Sequence, residues 1–229
     1  MTATPTQGPP GADEIRAAIA ATTSPPDAAA AAVRLGEAVR ALTHAVVGSV
    51  APDAVLAEVA SEVERLSALL APHARPSRYE QAEAVSGSGT FVNHPMIGPA
   101  NPCAPRIAMR IEDDHLVGAV TFATPQEGPP GCGYGGYLAA GFDAILLMTA
   151  GINGVGGLTR SLSVRYRRPT PLHAPLSYIG HVAGVDDRVA RIRGALVDEA
   201  GTVYVEGEAE TALGARVARP DFPDPRGPL

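Results

Sequence analysis

Asp143 stands in an apolar run, among Leu138, Phe142, Ile145 and Leu146. An ionised carboxylate buried in such a run costs several kcal/mol unless something pairs with it or uses it. Upstream, Tyr134-Gly135-Gly136 opens the same run. Glycines at a helix start expose backbone N–H groups that carry partial positive charge. Downstream, Thr159 lies at the start of a stretch from Leu158 to Arg168 that reads as a strand closing on Arg167-Arg168-Pro169. An acid, a helix end that tolerates an anion and a nearby hydroxyl are the parts of an acyl-transfer site.

The elements that must position these residues follow from periodicity. Tyr134 to about Ile152 is predicted as a helix, because it is longer than a strand can be. Ile107 to Ile111 and His115 to Phe122 read as strands joined at Asp113-Asp114. Gln126 to Gly133 reads as a loop, and Gly151 to Gly157 as a glycine-rich turn. In the strand that carries Thr159, Leu162, Val164 and Tyr166 alternate with Ser161, Ser163 and Arg165. Leu176 to Val185, Ala190 to Val197 and Thr202 to Leu213 are three more strands, turning at Asp186-Asp187 and Glu199-Ala200-Gly201. One long helix among mostly antiparallel strands is an α+β arrangement.

Upstream of the sheet, residues 1–11 are Pro/Gly/Thr-rich and expected to be disordered. Ser24-Pro25-Pro26-Asp27 signals a helix start. Leu35, Val39, Leu42 and Val46, then Val55, Val59, Val63, Leu66 and Leu70, give two helical stripes split by Ala51-Pro52-Asp53. The expected organisation is a disordered start plus helical hairpin over 1–75, a catalytic-type domain over 76–213 and a Pro-rich tail over 214–229. The hairpin carries nothing catalytic in type and reads as a packing or dimer arm.

Composition narrows the function. With 229 residues and 45% hydrophobic content the chain can bury a core. A net charge of −6 and 4% aromatic residues argue against nucleic acid as partner. The N-terminal residues lack the pattern of a secretory signal. The longest mostly apolar stretch, Tyr137 to Ile152, is short for a membrane span and contains Asp143. Cys103 and Cys132 make neither a disulfide framework nor a zinc site, and no histidine pair has metal-ligand spacing. His173 and His181 read as exposed strand residues and His94 as a loop residue. The expectation is a soluble, cytoplasmic protein with no metal and no redox cofactor. Gly131 to Gly136 satisfies G-x-G-x-x-G, but a Pro-rich loop precedes it and no acid lies between Asp143 and Asp186, so a dinucleotide fold is rejected. Gly154 to Gly157 lacks the Lys-Ser/Thr of a phosphate loop.

The segment GPPGCGYGGYLAAGFDAILL, followed by GLTRSLSVRYRRPTPL, resembles the hotdog-fold acyl-CoA thioesterases, in their PaaI-like branch. Gly128-Pro129-Pro130-Gly131 match that pattern's opening run and Gly135-Gly136 its glycine pair. Asp143 falls on the helical acid and Thr159 on the hydroxyl, while Tyr166, Arg168 and Pro169 match the strand end. Gly98 to Pro105 is similar to a segment of the same branch, and the likeness covers roughly residues 92–213. At the position of the family's usual His this chain has Tyr134, which can donate a hydrogen bond but cannot act as a base near neutral pH.

The resemblance implies a hotdog fold, in which an antiparallel sheet wraps one long helix, and a homodimer or larger homo-oligomer with its site at the interface. The substrate it implies is an acyl-CoA or other thioester. Asp143 is then base or nucleophile, Thr159 orients the water or the carboxylate, and the Gly135 and Gly136 backbone forms the oxyanion hole. Tyr134 lies at the substrate, Tyr137, Phe142 and Leu146 are candidates for the acyl pocket, and Arg165, Arg167 and Arg168 for the phosphates of coenzyme A. An alternative is a protein of the same fold that binds acyl-CoA or another apolar ligand without cleaving it, which the missing His favours. A hydratase of this fold needs a His near the helix start, and none lies between His115 and His173.

Overall fold

In the computed structural model, residues 11–74 and 89–213 are described. The expectations of disorder before residue 11 and of a loose tail after residue 213, and part of the irregular region after residue 75, lie outside the described residues. Alternating patterns from residue 108 onward form six strands: β1 (Ala108–Glu112), β2 (His115–Val120), β3 (Gly157–Tyr166), β4 (Leu176–Val185), β5 (Val189–Val197) and β6 (Val203–Leu213). They make one antiparallel sheet in the order β1-β2-β4-β5-β6-β3. The helices are α1 (Ala12–Thr23), α2 (Ala30–Val47), α3 (Asp53–Leu70), the single turn α4 (Gly89–Val92) and α5 (Gly135–Ile152).

Helix α5 follows β2 and precedes β3, and it lies against the inner face of the sheet. Its Leu138, Phe142, Ile145 and Leu146 are buried against Tyr178, Ile192, Leu196 and Val205. The Phe142 and Tyr178 rings meet edge to face, centroids 4.9 Å apart. The buried Tyr178 hydroxyl donates to the Leu138 carbonyl at 3.0 Å, and burial pushes its pKa up. On the outer sheet face, Arg193 pairs with Glu208 and Arg191 with Glu210 across β5 and β6. These pairs are exposed and contribute little energy, but they keep that face polar and so fix which face is inside.

β3 is an edge strand, bonded among the described residues only to β6. Its register against β6 slips between Thr159 and Ser161. Arg160 is therefore an extra residue, a bulge. Leu162 and Val164 oppose Ala209 and Gly207, whereas Ser161 and Ser163 oppose the outward Glu210 and Glu208. Strict alternation would put Thr159 outward with Ser161 and Ser163. The bulge reverses that, so Thr159 opposes the buried Thr211 and turns toward α5.

Several expectations change. Ser24 does not start a helix: it ends α1, and a 3-10 turn at Asp27–Ala29 leads into α2. α1 belongs to the sheet domain, because Ile15 and Ile19 are buried in the same core as α5 and the Thr22 hydroxyl accepts the Met109 N–H at 3.2 Å. The boundary expected at residue 75 thus cuts through one core. The helices split at Ala51-Pro52-Asp53 as expected, but no residue of α3 is buried. β1 starts at Ala108 and β2 ends at Val120; Phe122 lies beyond the ladder because its carbonyl accepts the His173 N–H at 2.7 Å. His173 is a bend residue with φ of 58°, not a strand residue, and His181 is only partly exposed, its ring 5.7 Å from that of His115. α5 has 18 residues, enough by length and composition to cross a bilayer. Most of it is buried in the fold, as in the core helix of a globular domain.

Candidate active site

The loop before α5 is pinned at both ends. Glu127 bridges to Gly133 and Cys132 to Pro171, and the Gly131 N–H donates to the Glu127 carboxylate at 2.6 Å. The Tyr134 N–H donates to the Gln126 carbonyl at 2.8 Å, so the chain enters α5 at a fixed angle. Tyr134 is the N-cap residue, and its side chain makes no capping bond. Its carbonyl accepts the N–H groups of Tyr137 at 3.0 Å and Leu138 at 3.2 Å. The N–H groups of Gly135 and Gly136 are left with no helical acceptor at the positive end of the helix.

Asp143 lies seven residues further along. Seven residues are nearly two full turns, so Gly136 and Asp143 share one face of α5, about 10.5 Å apart along the axis. Both are exposed, and Ala139, Ala140 and Leu147 between and beyond them are half-buried. The Thr159 hydroxyl donates to the Asp143 carboxylate at 2.9 Å. The carboxylate was expected to be buried; in the single chain it is exposed. The reason is orientation. Phe142, Ala144 and Ile145 point into the sheet, and Asp143 sits on the stripe that the sheet leaves uncovered.

The glycine pair is less bare than the sequence suggests. A Cβ on Gly136 would come within 2.6 Å of the Tyr134 ring, and one on Gly135 within 3.1 Å of the Tyr166 hydroxyl. That hydroxyl donates to the Gly135 carbonyl at 2.8 Å. Tyr166 is thus a positioning residue, legible in the sequence only as the end of a matching strand. Its signal was parity: it follows Leu162 and Val164 on the inward face of β3. Tyr134 is 54% exposed, and its ring meets Tyr137 edge to face at 6.4 Å.

The remaining expected residues separate. Phe142 and Leu146 are fully buried in the core and line no acyl pocket in this chain. Arg165 opposes Glu206 on the outer face of β3, away from Asp143 and the helix start. Arg167 is engaged by Glu206 through two bonds of 3.0 and 2.7 Å. Arg168 is exposed and has no carboxylate partner among the described residues. Tyr137 lines a separate cavity beside α2. Next to Gly135 lies a groove of about 440 Å³ between Pro129, Cys132, Leu138, Tyr166 and Arg168. Thr170, also on the groove, has a buried hydroxyl with no partner among the described residues. No three His, Cys, Asp or Glu side chains cluster as a metal site among the described residues.

An acid held by a hydroxyl, on the same helical face as two free backbone donors, is an arrangement that can add water to an acyl carbonyl. A solved structure of a thioesterase superfamily protein shares 31% sequence identity with this chain, with a TM-score of 0.70, over 79% of this chain and 94% of that one. The chain belongs to the thioesterase superfamily. The fold is the hotdog fold that the resemblance implied. Mouse thioesterase superfamily member 2 is similar at 16% identity and a TM-score of 0.44, over 47% of this chain and 82% of that one. A hypothetical thioesterase from Streptococcus pneumoniae, solved with coenzyme A, is similar at 17% identity and 0.43, over 48% and 88%. No protein-family model and no curated protein matches the chain.

Proposed function

We propose that this superfamily member hydrolyses acyl-CoA-type thioesters in the cytoplasm, at a site shared between two copies. The observation that carries the reading is the Thr159–Asp143 hydrogen bond on the helical stripe that also holds the free Gly135 and Gly136 donors. Asp143 takes a proton from water, whose oxygen bonds to the thioester carbon. The oxyanion is met by the Gly136 N–H; the loss of one such donor typically costs about 3–4 kcal/mol. The carbon–sulfur bond then breaks, and the thiolate leaves and takes up the proton. Direct attack by the Asp143 carboxylate is the variant in which an anhydride forms first and water cleaves it. Thr159 holds the carboxylate in either case.

The reading includes a second copy. A reacting carbonyl must lie about 3 Å from the oxyanion donor, with the base in reach of its carbon directly or through one water. About 10.5 Å separates Gly136 from Asp143 along one helix, a span that favours drawing the two from different copies. A two-fold axis beside the free β3 edge sets two α5 helices antiparallel and brings Asp143 toward the partner's Gly136. The groove beside Gly135 is a path for the thiol arm, with Arg168 free at its rim for a phosphate. Among the three arginines, Arg168 is the one we assign to coenzyme A.

The test is thiol release from a panel of acyl-CoAs, with the particle sized by light scattering at micromolar protein. Hydrolysis by a particle of at least two chains is expected; no thiol release from any member of the panel would sink the reading. Tyr134 favours a second reading, binding without turnover, because it stands in the place of the family's His and its ring lies over Gly136. That reading requires saturable acyl-CoA binding with no thiol release.

A further inference from the structure

We propose that α2, which lies outside the sheet domain, forms one wall of the acyl pocket and sets which acyl groups are accepted. This rests on the thioesterase reading above. A cavity of about 160 Å³ lies between α2 and the start of α5. Val39 and Thr43 line it from α2, Pro102 and Pro125 from the loops, and Tyr137 from α5. Tyr137 directly follows Gly136, with Cα atoms about 3.8 Å apart. Gln126, which also lines the cavity, gives its carbonyl to the Tyr134 N–H at 2.8 Å. One residue along the chain thus separates a lining residue of the cavity from the donor that meets the thioester carbonyl. Tyr134 and Tyr137, packed edge to face, lead from one to the other.

The wall is held rigidly. Arg40 also borders the cavity, and its Nε donates to the Ala104 carbonyl at 3.1 Å and one terminal nitrogen to the Asn101 carbonyl at 2.7 Å. Gly36 is buried against Ala100, where a Cβ would run into the carbonyl oxygen. Arg106 and Glu37 close a third contact at 2.6 Å. Arg40 thus fixes the helix; His44 and Cys103 also line the cavity, and its apolar surface is Val39, Pro102, Pro125 and the Tyr137 ring. An apolar cavity of about 150 Å³ accepts a benzene-sized guest. The acyl class that fits is compact and apolar: one ring, or a chain of about six carbons.

The test measures kcat/KM for acetyl-, hexanoyl-, benzoyl- and dodecanoyl-CoA on the full-length protein. Val39→Trp narrows the cavity, and the benzoyl-to-acetyl ratio should fall by about tenfold or more. Val39→Ala widens it, and the dodecanoyl-to-hexanoyl ratio should rise. Val39 is partly exposed, so both variants should fold, which a thermal melt checks. Val46→Trp, on the same helix and away from the cavity, should leave every ratio unchanged. Ratios within twofold of wild type in both Val39 variants would overturn the proposal and leave the thioesterase reading standing. Dodecanoyl-CoA preferred over benzoyl-CoA by the wild type would overturn the size assignment. No hydrolysis of any thioester would overturn both readings.

Discussion

The Thr159–Asp143 bond supports a double-mutant cycle. Asp143→Asn keeps shape and still offers an amide oxygen to the Thr159 hydroxyl, but it removes the base. Loss of a general base lowers kcat by at least about a hundredfold, or about 2.7 kcal/mol of barrier. Thr159→Val removes one 2.9 Å hydrogen bond to a carboxylate. Bonds to charged groups contribute about 1.5–3 kcal/mol when buried. Here the carboxylate is exposed in the single chain, and about 1 kcal/mol is the appropriate figure, a five- to tenfold fall in rate. In the Asp143→Asn background the hydroxyl has no base to orient, so adding Thr159→Val should cost less than about twofold, a coupling near 1 kcal/mol. The assay is steady-state thiol release by wild type, both single variants and the double, each shown folded by circular dichroism. A folded Asp143→Asn protein within a few-fold of wild type refutes the role of the acid. If Thr159→Val costs the same tenfold in both backgrounds, Thr159 acts on something other than Asp143.

Tyr134→Phe should lower kcat/KM by about two- to tenfold, the equivalent of one net hydrogen bond, and Tyr134→His should be tolerated or raise it; hydrolysis gained only in the His variant would show a native binder instead. Gly36→Ala should lower stability by about 1–3 kcal/mol in a urea melt, because the methyl meets backbone that cannot move aside as a side chain can. Asp198 has its carboxyl held below the usual range by the Thr202 N–H, helped by the Ala200 N–H and the Tyr204 hydroxyl. A depressed folded pKa stabilises above the unfolded value of about 4, and the effect is lost as pH falls through the folded value. Asp198→Asn should therefore lower Tm near neutral pH, with the gap to wild type closing below about pH 4.

Much of this molecule is written in its periodicities. The run from Gly135 to Ile152 admits one reading, and the span of β4 follows from turn residues and alternation alone. The orientation of α5 is different. It is apolar nearly all round, so no stripe tells which residues face the sheet and which a cavity. Phe142 and Leu146 are therefore equally plausible from sequence as pocket or core residues, and the sheet takes them into the core. The outward face of Arg165 was legible, since Leu162, Val164 and Tyr166 alternate with it. α1 was missed because Ser24-Pro25-Pro26-Asp27 is a strong start signal, and a serine beside prolines serves equally to end the helix before it.

The alternation of β3 also hides the feature on which the candidate site depends. Counted strictly by twos, Thr159 joins Ser161, Ser163 and Arg165 on the polar outer face, across the sheet from Asp143. Bulges occur in strands beside active sites because one extra residue re-aims every side chain on one side of it. Arg160 is such a residue, and its insertion lets Leu162 and Thr159 both face α5 although their parities differ. The sixteen-residue spacing between acid and hydroxyl has meaning only with the bulge in place, because a bulge-free strand would present a different residue to Asp143. Edge strands carry bulges at small cost, since only one neighbour's ladder is disturbed. The position of β3 at the edge of the sheet among the described residues therefore lets the strand bend enough to turn Thr159 onto the acid.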